Sequence, residues 1–163
     1  LAQFCDWVIK NFNLKIICFS TNVPYFKGEQ NDVKVGIEIK EVMEHKEQFS
    51  VLKNFYTPLQ LKGMISLSKF FLATRMHACI FSTSSIVPTL CISYQPKCRD
   101  YMKLLELEKF CIDIDKLNLD VLKSLFLTLD KESSNVRVHL KEKISKFQSR
   151  IKRIPSLVER YLK

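Results

Sequence analysis

Two short apolar runs, Phe70 to Ala73 and Val87 to Ile92, are joined by a segment just long enough for one helix. Runs of this length without polar alternation suit parallel strands covered on both faces, and parallel neighbours need a crossover between them. The stretch from Lys69 to Lys97 therefore reads as strand, helix, strand and loop. Its polar residues collect at the two junctions. Thr74 is placed to cap the helix, Arg75 and His77 fall in its first turn, and Ser93, Tyr94, Pro96 and Lys97 follow the second run. A helix start favours an anion through its free N–H groups and its dipole. Open parallel sheets bind ligands beyond the carboxyl ends of their strands. Arg75, His77, Tyr94 and Lys97 are thus expected around one crevice that takes a small, negatively charged ligand.

The same alternation runs through most of the chain. Phe4, Cys5, Val8, Ile9 and Phe12 repeat at helical spacing, and Leu14 to Phe19 is a buried strand. Thr21 to Asn31 is a polar loop within reach of the site. Asp32 to Met43 fits both a strand and a helix pattern; a helix capped by Asp32 is expected, because a crossover must lead to the strand Phe49 to Leu52. Thr57-Pro58-Leu59-Gln60 is a capping-box start, and its helix, through about Leu67, turns Leu61, Met64 and Ile65 towards the sheet. Asp100 to Leu107 reads as a helix and Phe110 to Ile112 as a short strand. Leu119, Leu122, Phe126 and Leu129 line a further helix. The class expected is a doubly wound, mainly parallel, Rossmann-like α/β sheet.

A chain of 163 residues suits one domain over residues 1–130 and a distinct C-terminal segment over 131–163. That last segment holds ten Lys or Arg against three Glu, a balance of +7 within the chain's +9. Leu140, Ile144, Phe147, Ile151 and Ile154 form one apolar stripe on this basic helix, which Pro155 should bend or interrupt. It can pack on a neighbouring domain, lie peripherally on an anionic membrane, or bind nucleic acid. Nucleic acid ranks last, since only Phe147 and Tyr161 offer rings for stacking. No apolar run approaches the roughly 18 residues of a membrane span, and Asp6 interrupts what would be a signal peptide. A cytoplasmic protein, free or at the inner face of the membrane, is expected. The first residue is Leu rather than Met, so the chain is expected to be a piece of a longer protein.

Other chemistries find little support. The six cysteines form no Cys-x-x-Cys pair, and with three histidines no metal-binding spacing arises. They are expected as reduced core thiols, with Cys98 beside Lys97 the one whose acidity the site would raise. Three glycines leave no phosphate-cradling loop, so side chains and helix termini must hold any anion. His45 and His139 are expected in solvent, and Asp113, Asp115 and Asp120 in turns and caps.

Arg75-Met76-His77, Ile86-Val87-Pro88 and Tyr94-Gln95-Pro96-Lys97 occur in an order and spacing that resembles the C-terminal part of the polysaccharide pyruvyl transferase family. Its members carry Arg-Leu-His at a strand-to-helix junction, then Gly-Val-Pro, a hydrophobic strand and Tyr-x-x-Lys. Weaker similarity extends from about Leu1 to about Leu129. Met76 replaces Leu, Ile86 stands where Gly is usual, and Asp100 and Glu106 stand where Gly is frequent. A β-branched Ile86 does not comfortably take positive φ, so that turn is expected to differ.

The resemblance implies the C-terminal half of a GT-B-like enzyme that works with an N-terminal Rossmann-like half. Such an enzyme transfers the enolpyruvyl group of phosphoenolpyruvate to a sugar of a cell-surface glycan or lipid-linked saccharide, forming a pyruvate ketal without metal or cofactor. His77 and Arg75 would be catalytic, and Arg75, Met76, His77, Tyr94 and Lys97 would bind the donor. The basic tail would cross the other half. Two alternatives stay open: the nucleotide-sugar half of a GT-B glycosyltransferase, disfavoured because no acidic pair stands near the start of the Arg75 helix, and a non-catalytic scaffold of the same fold.

Overall fold

The computed structural model describes residues 1–21, 32–54, 56–155 and 158. The chain is α/β, with parallel strands and six helices among the described residues. Helix α1 (Ala2–Phe12) leads to β1 (Ile16–Cys18); α2 (Asp32–Glu41) then crosses to β2 (Phe49–Val51), which pairs parallel with β1. The helical reading of Asp32 to Met43 thus holds. Helix α2 approaches β1 and β2 through Gly36, where a Cβ would stand 2.9 Å from Cys18 Sγ. Residues 22–31 of the expected polar loop lie outside the described residues.

Helix α3 (Pro58–Ser66) starts as its sequence dictates: Gln60 N–H donates to Thr57 Oγ1 at 3.3 Å, and Thr57 N–H donates to Gln60 Oε1 at 2.9 Å. It buries Leu61 and Ile65. The central unit follows as β3 (Phe71–Ala73), α4 (Met76–Ser84) and β4 (Thr89–Ser93), a strand buried at every residue. Helix α5 (Pro96–Leu104) then leads to β5 (Cys111–Asp113), and β3, β4 and β5 pair parallel in that order. Two details differ from expectation. Thr74 does not cap α4; the cap position is Arg75, without a side-chain cap bond. Helix α5 begins at Pro96 rather than Asp100, because proline at the first helical position needs no N–H partner.

The strands form two sheets, a pair and a triplet, with no ladder between β1 and β3. A cavity of about 610 Å³ is lined by residues of both strands, and rings of Phe19 and Phe71 meet across the gap at 5.9 Å between centroids. Phe126 closes the apolar core, with the rings of Phe12 and Phe70 at 4.9 Å and 5.0 Å.

Both α4 and α5 end in a Schellman motif, and in both the left-handed position is not glycine. Ile86 has φ 62° and Glu106 φ 59°. Val87 N–H donates to Ser82 O at 3.0 Å and Ile86 N–H to Thr83 O at 3.0 Å; Leu107 N–H reaches Met102 O and Glu106 N–H reaches Lys103 O, each at 2.9 Å. The turn at Ile86 therefore keeps the geometry a glycine would give, contrary to expectation, at a cost of about 1–2 kcal/mol for a side chain in the left-handed region.

Helix α6 (Leu119–Ile151) is continuous across residue 130. Asn118 caps it, accepting from Val121 N–H at 2.9 Å. Its apolar stripe does not wait for another domain: Val136, Leu140 and Ile144 are buried in this core. Arg137 donates to Ile86 O at 2.9 Å and Lys69 O at 2.8 Å, and a ring nitrogen of His139 lies 2.7 Å from Leu105 O, so this histidine is not simply solvated. Lys143 pairs with Glu106. The helix thus holds both left-handed turns in place. Ile151 and Ile154 remain exposed, Tyr161 lies outside the described residues, and no helix among them is long and apolar enough to cross a membrane.

Candidate functional site

The site is built where the chain leaves β1, β3 and β4. After β3 the backbone stays extended at Arg75, with φ −130° and ψ 149°, before α4 starts. This geometry turns the Arg75 side chain towards the end of β1 rather than along its own helix. There the start of α2 supplies Asp32. Arg75 Nε donates to Asp32 Oδ2 at 3.0 Å and Nη2 to Oδ1 at 2.7 Å, and Ser20, just after β1, donates to Oδ2 at 3.0 Å. The pair is only partly in solvent, with side-chain exposures of 22% and 26%. Hydrogen bonding to Asp32 pushes the Arg75 pKa above its ordinary value, and the nearby Tyr94 hydroxyl adds in the same direction. In open α/β sheets ligands bind beyond the carboxyl ends of the strands, which is where this pair stands.

Of the expected residues, Arg75 and Tyr94 stand just beyond the ends of the paired strands β3 and β4, with the Tyr94 hydroxyl near enough to help raise the Arg75 pKa. Tyr94 is 43% exposed, and Ser93 Oγ, donating to Gln95 O at 2.8 Å, fixes the bend that presents it. Met76 is the first residue of α4 and half-buried against the core. His77, next in α4, and Lys97, second in α5, are exposed in the first turns of neighbouring helices. Neither makes a hydrogen bond or ion pair among the described residues. Arg75 is not free in the way expected: Asp32 holds the Nε edge of its guanidinium. The Nη1 edge, with its remaining N–H donors, is the part left for a ligand.

Asp32 and Ser20 are the members that sequence reasoning missed. Asp32 carried only a capping signal, and nothing in spacing alone ties it to an arginine 43 residues later. The finding also removes a reason given against a glycosyltransferase, since a carboxylate does stand beside Arg75. Its two oxygens are already engaged by Arg75 and Ser20. Cys98 is buried, and burial raises its pKa more than Lys97 lowers it, so the expectation of an acidic thiol fails. Asp113 is held by Arg99, with Nε donating at 2.9 Å. Among the described residues no group of His, Cys, Asp or Glu could hold a metal ion.

Comparison with known proteins adds the class. Residues 23–96 match the model of the polysaccharide pyruvyl transferase family, a stretch that includes Asp32, Arg75, His77 and Tyr94 and stops one residue short of Lys97. The matched stretch is just under half of the chain, and there the chain is similar to that family. Over 103 residues the chain is 23% identical to the amylovoran biosynthesis protein AmsJ of Erwinia amylovora, covering 63% of this chain and 25% of that protein. The chain therefore spans about a quarter of that relative's length. No solved structure matches the chain.

Proposed function

We propose that the chain is the donor-binding part of a transferase that moves the enolpyruvyl group of phosphoenolpyruvate onto a sugar of a glycan as a pyruvate ketal. The observation that carries this reading is the placement of Arg75, oriented by Asp32, and of Tyr94 at the ends of the paired strands β3 and β4, inside the segment that matches the family. Phosphoenolpyruvate has a carboxylate and a phosphate. The free edge of the Arg75 guanidinium takes one of them as a planar fork, and Lys97 and the first-turn N–H groups of α4 and α5 take the other. Tyr94 donates its hydroxyl to the same ligand, and Met76 closes the floor.

The chemistry requires two protons to be moved. Two sugar hydroxyls add to the enol carbon, the methylene carbon gains one proton to become a methyl group, and the second proton leaves with the phosphate. His77 supplies one of these two as general acid, a task imidazole performs near neutral pH. Asp32 orients Arg75 and limits the net positive charge of the empty site. No resident cofactor enters the reaction. The acceptor, a glycan free or lipid-linked, meets the donor between this domain and an N-terminal Rossmann-like half.

The test is turnover of phosphoenolpyruvate with a glycan acceptor by the full-length enzyme carrying Arg75→Ala or His77→Ala. Both changes should lower kcat/KM by at least 100-fold, within the range known for acid–base and electrostatic groups. Wild-type-like turnover in both removes the proposed site. The nucleotide-sugar reading is favoured only by the carboxylate of Asp32. It requires that carboxylate to leave Arg75 and Ser20 for a ribose, and predicts that nucleotide sugars bind better than phosphoenolpyruvate.

A further inference from the structure

The cavity between β1 and β3 is not used by the reaction proposed above. Its walls include Phe4, Val8, Ile16, Phe71, Leu90 and Phe126. At about 610 Å³ it falls within the size of small-molecule sites. Its middle is lined by apolar side chains and its polar ones stand towards the two ends, and apolar cavities bind apolar guests.

Charge distinguishes its two ends. At the carboxyl ends of the strands, Arg75 and Asp32 neutralise each other. Away from that bridge, at the amino ends, Lys15 immediately precedes β1 and Lys69 lies just before β3, and both line the cavity. Lys15 has no ion-pair partner among the described residues, and Lys69 is 3.7 Å from Asp130, a loose and solvent-exposed pairing. This end carries a net positive charge over an apolar slot.

We infer that the slot binds a single-chain anionic amphiphile, with its hydrocarbon between β1 and β3 and its acid head at Lys15 and Lys69. The acid head sits at the strand ends opposite to the donor site, and the slot reaches Arg75 and Asp32 only at its far end. Occupation would fill the gap that the unpaired strands leave open. Trp7, the one tryptophan of the chain, reports on it: its ring is 6.0 Å from Phe126 and 6.1 Å from Phe4, both wall residues.

The experiment titrates the full 163-residue chain, by Trp7 fluorescence, with octanoate, decanoate and dodecanoate and with dodecanol as the uncharged control. Saturable one-to-one binding is expected, tightening about fourfold per added methylene until the slot is full. Dodecanol should bind at least fivefold more weakly than dodecanoate. Lys15→Ala with Lys69→Ala, both exposed and safe for folding, should bring dodecanoate to the level of dodecanol. Ala78→Phe, which fills the cavity, should abolish both. Absence of saturable binding, or dodecanoate affinity unchanged in the lysine double variant, overturns the proposal. Phosphoenolpyruvate binding by the lysine double variant should be unaltered, so the two sites fail independently.

Discussion

Arg75 and Asp32 form a two-point ion pair, Nε to Oδ2 at 3.0 Å and Nη2 to Oδ1 at 2.7 Å, which ties the start of α2 to the corner between β3 and α4. No ladder joins β1 to β3, so this contact links the two sheets at the carboxyl ends, while the Ser20 hydroxyl fixes Asp32 to the end of β1. A pair this shielded lies between the exposed limit, where ion pairs contribute little, and the fully buried one, where breaking a pair costs several kcal/mol. A double-mutant cycle with Arg75→Ala and Asp32→Ala, read by urea unfolding, should give a coupling of about 1–2 kcal/mol. A coupling near zero would mean that the contact is not maintained.

The left-handed position after α5 gives a second prediction. Glu106 occupies a backbone conformation that glycine adopts freely, and its carboxyl pKa is lowered because Lys143 hydrogen-bonds it. Glu106→Gly should raise Tm by about 2–4 °C, while Glu106→Ala, which keeps the strain, should not. The folded pKa is depressed, so the Lys143 contact stabilises above the ordinary carboxylate value and is lost as pH falls through the lowered one. The gain from Glu106→Gly should therefore be larger at about pH 3 than at about pH 7.

The cysteines should be quiet. All six are free, and five are buried. Burial pushes the Cys5 thiol up to about 11 and raises Cys18 and Cys98 as well. A thiol reagent at about pH 8 should label the native chain slowly, with Cys18 first, and label all six at once in denaturant. Rapid native labelling of Cys98 would contradict this order.

The basic helix supplies the next test. Leu140→Ala should cost about 2–5 kcal/mol, because Leu140 is fully buried against the core, whereas Ile151→Ala at an exposed position should change stability by less than about 0.5 kcal/mol. Equal small effects would mean that the second half of α6 does not pack as described.

Local signals in the sequence carried the elements well. The capping box at Thr57 and Gln60, the apolar spacing of α1 and the uninterrupted run of β4 each rest on neighbours a few residues apart, and each appears in the structure. The positions of Arg75, His77, Tyr94 and Lys97 at the ends of β3 and β4 follow from the same local logic. Long-range relations were not legible. Asp32 meets Arg75 across 43 residues, and Arg137 caps carbonyls of Ile86 and Lys69 that no periodicity points to. Ile86 misled because residue type argues against positive φ, while the bonds of Val87 and Ile86 to the end of α4 and the Arg137 cap enforce it. The change of charge at residue 131 suggested a boundary, yet the apolar period runs on through Val136 and Leu140, and packing follows the period.

The most direct measurement is calorimetric titration of phosphoenolpyruvate into the 163-residue chain and into its Arg75→Ala variant, with nucleotide sugars titrated in parallel. Weak but saturable binding of phosphoenolpyruvate is predicted, reduced at least tenfold by Arg75→Ala, with no response to nucleotide sugars. Equal affinity in the two proteins, or a preference for a nucleotide sugar, would contradict an anion site built on Arg75.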